Sequence, residues 1–118
     1  MKVLFVDDEP DIRELIEIAI ITEDDIDAHF AESGIEAVDR IFSERFDIIV
    51  LDVMMPPPDG LEVLRLAGEK ATNDKSKVVM CTAKTSAEAE EEFRSLGAHY
   101  VLHKPFKPLK LADYLRSL

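Results

Sequence analysis

Five short apolar runs punctuate the chain, and each is followed by a segment whose apolar residues recur at helical spacing. The runs are KVLFV (Lys2 to Val6), DIDAHF (Asp25 to Phe30), DIIVL (Asp47 to Leu51), KVVMC (Lys77 to Cys81) and HYVL (His99 to Leu102). Runs of this length, bounded by polar residues, read as strands. The third is too apolar to have a wet face, which places it inside a parallel sheet. After Pro10, residues Ile12, Leu15, Ile16, Ala19 and Ile20 form one helical stripe. Val38, Ile41 and Phe42 form a second, Leu61, Leu64 and Ala67 a third. Leu111, Ala112, Leu115 and Leu118 form the last, after Pro108. SGIE at Ser33, DGLE at Asp59 and TSAE at Thr85 have the spacing of helix caps. Gly97 is placed to end the fourth helix.

Strands alternating with helices predict a parallel sheet covered on both faces, and right-handed crossovers make it a doubly wound α/β domain. The 118 residues, 47% of them apolar, suit one compact domain over 1–118. No repeat or linker interrupts it, and Gly68 to Lys77 reads as a polar surface loop. Met1 directly precedes the first strand, so no upstream domain is expected.

Acidic residues outnumber basic ones 25 to 14, for a formal charge of −11. That balance excludes a phosphate-backbone or anionic-lipid surface and favours a basic partner or a bound cation. No apolar run reaches the length of a membrane span, and MKVLFVDDEP is not a signal peptide. Cys81 is the only cysteine, which points to a reducing, cytoplasmic setting. Its neighbours in VVMC make it a small core hydrophobe rather than a reactive thiol.

In an open parallel sheet, ligands sit beyond the carboxyl ends of the strands. Asp7, Asp8 and Glu9 follow the first strand, Asp52 the third, Thr82 the fourth, and Lys104 with Pro105 the fifth. An acid ending an apolar central strand costs free energy unless something pairs with it. Clustered carboxylates either share a proton or hold a cation. Mg²⁺, a hard ion that takes oxygen ligands, fits Asp7, Asp8 and Asp52 and can hold a phosphoryl group against them. Asp52 can then act as nucleophile, with Lys104 and Thr82 bonding phosphoryl oxygens. Asp7-Asp8-Glu9 on its own also reads as favouring a helix N-terminus through its dipole.

Four ordered motifs carry a resemblance: VDDEP (Val6 to Pro10), DIIVLDVMMPPPDG (Asp47 to Gly60), CTAK (Cys81 to Lys84) and HKPF (His103 to Phe106). Together they resemble the receiver domain of bacterial two-component response regulators of the chemotaxis-regulator type, over essentially the whole chain. The resemblance implies a flavodoxin-like sheet with strand order 2-1-3-4-5 and five helices. It implies Asp52 as the acceptor of a phosphoryl group from a histidine kinase or phosphotransfer protein. Mg²⁺ is then held by Asp7, Asp8, Asp52 and the Met54 backbone carbonyl, Lys104 contacts the phosphoryl group, Thr82 is a hydroxyl switch, and Pro105 follows a cis bond. Met54 and Lys84 take positions that tune hydrolysis of the phosphoaspartate. The implied output is a downstream protein or an output domain, with no nucleic acid or membrane bound by this domain. A homodimer through the face between the fourth and fifth helices is a further family habit.

The chain departs from that pattern twice. The aromatic switch of the family sits three residues before the lysine, and here that residue is Val101; Tyr100 lies one place earlier, on the opposite face of a strand. PPP, Pro56 to Pro58, should stiffen the loop after Asp52. Two rivals stand beside the switch reading. One is a pseudo-receiver, a scaffold that never takes phosphate, against which the intact set of site residues argues. The other is a Mg²⁺-dependent phosphohydrolase, which lacks a second acid at position 54. The expected protein is thus a phosphoacceptor that carries out only its own phosphorylation and dephosphorylation, not an enzyme with a separate substrate. His29, His99 and His103 read as structural or surface residues, since His99 and His103 stand about 13 Å apart in an extended strand. EAEEEF, Glu88 to Phe93, reads as a solvated helix face.

Overall fold

The computed structural model describes residues 1–68, 75–83 and 86–118. The elements run β1 (Lys2–Val6), α1 (Pro10–Ile20), β2 (Asp27–Ala31), α2 (Gly34–Ser43), β3 (Ile48–Asp52), α3 (Gly60–Gly68), β4 (Lys77–Thr82), α4 (Ala87–Ser95), β5 (Tyr100–His103), a 3₁₀ turn (Pro108–Lys110) and α5 (Leu111–Arg116). All strand pairs are parallel, in the order β2-β1-β3-β4-β5.

The alternation of side chains along each strand divides the interior in two. Leu4, Val6, Ile49, Leu51, Val78 and Met80 pack toward Ile41 of α2, Val63 and Leu64 of α3 and Phe93 of α4. The intervening residues Val3, Phe5, Ile48, Val50, Val79 and Cys81 pack toward Ile16 and Ile20 of α1 and Leu111 and Leu115 of α5. All of β3 is buried, as its unbroken apolar run requires.

The caps of α2 and α3 follow their sequence signals. Ser33 Oγ accepts from the Glu36 amide at 3.1 Å, and Asp59 Oδ1 from the Glu62 amide at 3.0 Å. The Glu36 carboxylate turns back onto the Glu32 amide, one residue before the cap, rather than onto Ser33. Gly97, at φ +106°, ends α4: its amide donates to Arg94 O and the Ala98 amide to Phe93 O, the paired bonds of a Schellman turn. The cap of α4 differs from expectation by one residue: it is Ser86, whose Oγ accepts from the Ala89 amide, rather than the first position of TSAE. Thr85 and Lys84 lie outside the described residues, as does 69–74 of the polar loop.

Several boundaries differ from expectation. β2 begins at Asp27 rather than Asp25, because Asp25 is drawn into a turn: its carbonyl accepts from the Met1 ammonium and its carboxylate from Arg116. β5 starts one residue later than expected, at Tyr100. Leu15 and Phe42 are 47% and 39% exposed, although both were expected to face inward. At 100° per residue they fall at the margins of stripes centred on Ile16 and Ile41. Among the described residues, no helix is long and apolar enough to cross a membrane.

Candidate functional site

Register brings the site together. Val6 pairs with Leu51, so Asp7 leaves β1 beside Asp52, the last residue of β3. Asp52 pairs with Cys81, which puts Thr82 one step further along β4. Thr82 pairs with His103, and the Lys104 amide donates to Thr82 O at 2.8 Å. That bond delivers Lys104 to the same edge, just before a cis bond to Pro105.

Lys104 Nζ stands 3.1 Å from Asp52 Oδ1 and 3.3 Å from Asp7 Oδ2, so one ammonium bridges two carboxylates. Both acids are nearly sealed, at 4% and 3% exposure for Asp7 and Asp52. Asp7 Oδ1 accepts from the Glu9 amide at 2.9 Å, and Asp52 Oδ1 from the Met54 amide at 3.3 Å. Asp7, Asp8 and Asp52 each offer an oxygen within 4.8 Å of the others. Asp8 Oδ1 is buried with no hydrogen-bond partner among the described residues. An orphaned acceptor between two buried acids, all of them hard oxygen ligands, suits a divalent cation.

The electrostatics follow from this crowding. Burial pushes the Asp52 carboxyl above its ordinary value, and the charge of Asp7 adds to the rise. The Lys104 bond and charge and the Met54 amide oppose it without cancelling it. Burial disfavours the Lys104 ammonium, but its bond to Asp52 and the charges of Asp52 and Asp7 outweigh that and raise its pKa. Lys104 is therefore a fixed positive charge. Cys81 lies just beneath the site, and burial pushes its thiol up to about 12, so it packs as a core residue.

The response regulator receiver domain model matches residues 3–116. The chain belongs to this family. The response regulator MprA of Mycobacterium avium is 36% identical over 118 residues, covering 100% of this chain and 50% of that protein. YclJ of Bacillus subtilis, named an uncharacterized transcriptional regulatory protein, is 30% identical over the same span and share. The receiver chain thus spans about half the length of the curated relatives it matches. Among solved structures, the chemotaxis response regulator CheY4 of Vibrio cholerae superposes with a TM-score of 0.89 at 32% identity. That match covers 98% of this chain and 96% of CheY4.

The edge of this receiver thus gathers Asp7, Asp8, Asp52 and Lys104, with Thr82 buried at the end of β4. Met54, two residues beyond Asp52, has a side chain open to solvent. On β5, Val101 packs with the α2–α4 half of the core, while Leu102 belongs to the α1–α5 half. Tyr100 shares the parity of Leu102, so the aromatic ring does lie on the face away from α4.

Some supporting residues carried no sequence signal for their role. Arg13 Nη1 donates to the Asp7 carbonyl at 2.7 Å, fixing the backbone between Asp7 and Asp8. A Cβ on Gly60 would stand 2.3 Å from the Asp52 carbonyl oxygen. One on Gly34 would stand 1.9 Å from the Pro58 carbonyl oxygen, so α2 backs directly onto the proline loop. His99 is structural, its Nδ1 accepting from the Val78 amide at 3.1 Å.

Proposed function

We propose that this receiver takes a phosphoryl group on Asp52 from a sensor histidine kinase or phosphotransfer protein and changes partner binding in response. The bridging of Asp7 and Asp52 by Lys104, with Asp8 Oδ1 beside them left without a partner among the described residues, carries the proposal. Asp52 attacks phosphorus, a P–O bond forms, and the bond from phosphorus to the donor nitrogen breaks with its electrons leaving on the donor. Lys104 then transfers its bonds from the carboxylates to a phosphoryl oxygen, and the Thr82 hydroxyl donates to another. Asp7, Asp8, Asp52 and the Met54 carbonyl are the residues to hold Mg²⁺, which when bound neutralises charge between carboxylate and phosphoryl oxygens. Hydrolysis of the acyl phosphate resets the protein.

The chemistry is confined to the protein's own aspartate, so the receiver is a switch and not an enzyme with a separate substrate. We read 1–118 as a single receiver domain acting in the cytoplasm, coupled to a downstream protein or an output domain, without nucleic-acid or membrane contacts of its own. The α4–α5 face is open to a homodimer.

The test is incubation with Mg²⁺ and acetyl phosphate, beside Asp52→Asn, read by intact mass. A single phosphoryl increment that requires Mg²⁺ and vanishes in the variant supports the proposal. A wild-type protein that binds Mg²⁺ yet stays unmodified even with candidate kinases turns the reading to a phosphorylation-independent scaffold.

A further inference from the structure

We propose that His103, through its contact with Glu90, couples the state of Asp52 to helix α4 in this receiver, a regulation that rests on the phosphoryl-acceptor reading above. Three observations converge on this residue. His103 is the register partner of Thr82, and in a parallel ladder register partners present neighbouring side chains to the same face. That face is the one covered by α4, since Val101, two residues earlier on β5, packs against the half of the core that holds Phe93 of α4. His103 Nε2 lies 3.3 Å from Glu90 Oε1, which makes it a polar side chain of β5 that reaches a polar side chain of α4 at the site edge.

The residue best placed to do this by size does not. Tyr100 is the register partner of Val79 and shares the parity of Leu102, both in the α1–α5 half of the core, so it stands on the other side of the sheet. Val101 faces α4 but is a short, branched apolar side chain with no polar group to follow a change at Thr82. Thr82 is buried, so a rotation of its hydroxyl toward a phosphoryl oxygen changes the space and polarity beside His103. His103 and Glu90 are both part-exposed, at 48% and 26% of their side chains, so their contact is labile enough to exchange between two arrangements. Helix α4 ends in a glycine turn at Gly97, and its other charged residues, Glu88, Glu91, Glu92 and Arg94, face solvent. Glu90 is therefore the carboxylate through which α4 senses the site edge.

The experiment compares wild type, His103→Ala, Glu90→Ala and the exchanged pair His103→Glu with Glu90→His. Each is treated with acetyl phosphate and Mg²⁺, with phosphorylation read by intact mass and α4 by amide hydrogen exchange. The exchange of Ala87–Ser95 is expected to change on phosphorylation of wild type. In both single variants, phosphorylated to the same extent, that change should shrink roughly fivefold, the low end of a typical allosteric coupling. The exchanged pair should restore it, which a merely structural role for either residue would not produce. Full phosphorylation with an undiminished α4 response in His103→Ala overturns the inference and leaves the acceptor reading intact. A wild-type α4 that ignores phosphorylation also overturns it. Absence of phosphorylation in all four proteins, with acetyl phosphate and with candidate kinases alike, removes the acceptor reading and the inference together.

Discussion

Replacing Asp52 with Asn should stabilise the Mg²⁺-free protein, although it deletes an ion pair. At an effective dielectric of about 20, the Lys104 contact at 3.1 Å attracts the Asp52 charge by about 5 kcal/mol. The Asp7 oxygen, within 4.8 Å, repels it by about 3.5 kcal/mol on the same scale. Burying the carboxylate adds a penalty of several kcal/mol, and with the Asp52 side chain only 4% exposed, water screens little of it. The costs exceed the attraction, in the same direction as the raised carboxyl. After the new amide's own burial cost, a net gain of about 1 kcal/mol remains, worth about 4 °C in Tm for a chain this size. The pH dependence gives a second handle. The folded protein holds the Asp52 proton more tightly than the unfolded chain, whose value is near 3.8. The penalty is therefore absent below pH 3.8 and sets in as pH rises through the raised folded value. Wild type and variant should converge in acid and diverge at neutrality. Urea unfolding with unchanged slope measures both. Saturating Mg²⁺ should reverse the order, since a ligand at a hundredfold its Kd adds about 2.7 kcal/mol to the protein that binds it. An Asp52→Asn protein that unfolds at lower urea than wild type, at neutral pH without Mg²⁺, would refute the reasoning.

Gly34→Ala should destabilise by about 2 kcal/mol through overpacking and also weaken Mg²⁺ binding, because the displaced Pro58 carbonyl belongs to the loop that carries Met54. Unchanged Mg²⁺ affinity by calorimetry would show that the loop yields without moving the site. The Glu44 carboxyl is held down to about 2 by its bonds to Arg40 and Lys2, from an ordinary 4.5. Its stabilisation is present above pH 4.5 and lost as pH falls through 2, so Glu44→Gln should flatten the acid limb of the stability profile. With both side chains of the Lys2 pair a third exposed, solvent screening limits the neutral-pH effect to about 1 kcal/mol.

The sheet was legible because β1, β3 and β4 carry contiguous apolar runs, with β2 the weaker signal through its Asp27 and His29, and parallel order needs only that strands alternate with helices. The acid-and-lysine edge was legible for a related reason. A charge directly after such a run has nowhere to go except the strand's carboxyl end, so Asp7, Asp52 and Lys104 could be gathered from position alone. What stayed hidden depends on how crossovers pack. Arg13 reaches the Asp7 carbonyl because α1 folds back over β1, and nothing in DEPDIR marks that reach. Gly34 meets Pro58 only because α2 and α3 lie side by side, so a glycine that reads as the second residue of a cap signal is also a docking surface. The edge of an amphipathic stripe is likewise set by the neighbouring layer, which is why Leu15 and Phe42 came out exposed.

The placement of Tyr100 has an optical consequence. The protein has no tryptophan and two tyrosines, Tyr114 in the α1–α5 half of the core and Tyr100 on the same side of the sheet by its pairing with Val79. Intrinsic emission is thus a one-sided probe: it registers events around α5 and is blind to α4. A silent fluorescence trace on adding a phosphodonor is what a signal travelling through the other half of the molecule looks like, and a tryptophan placed on α4 would make that half visible.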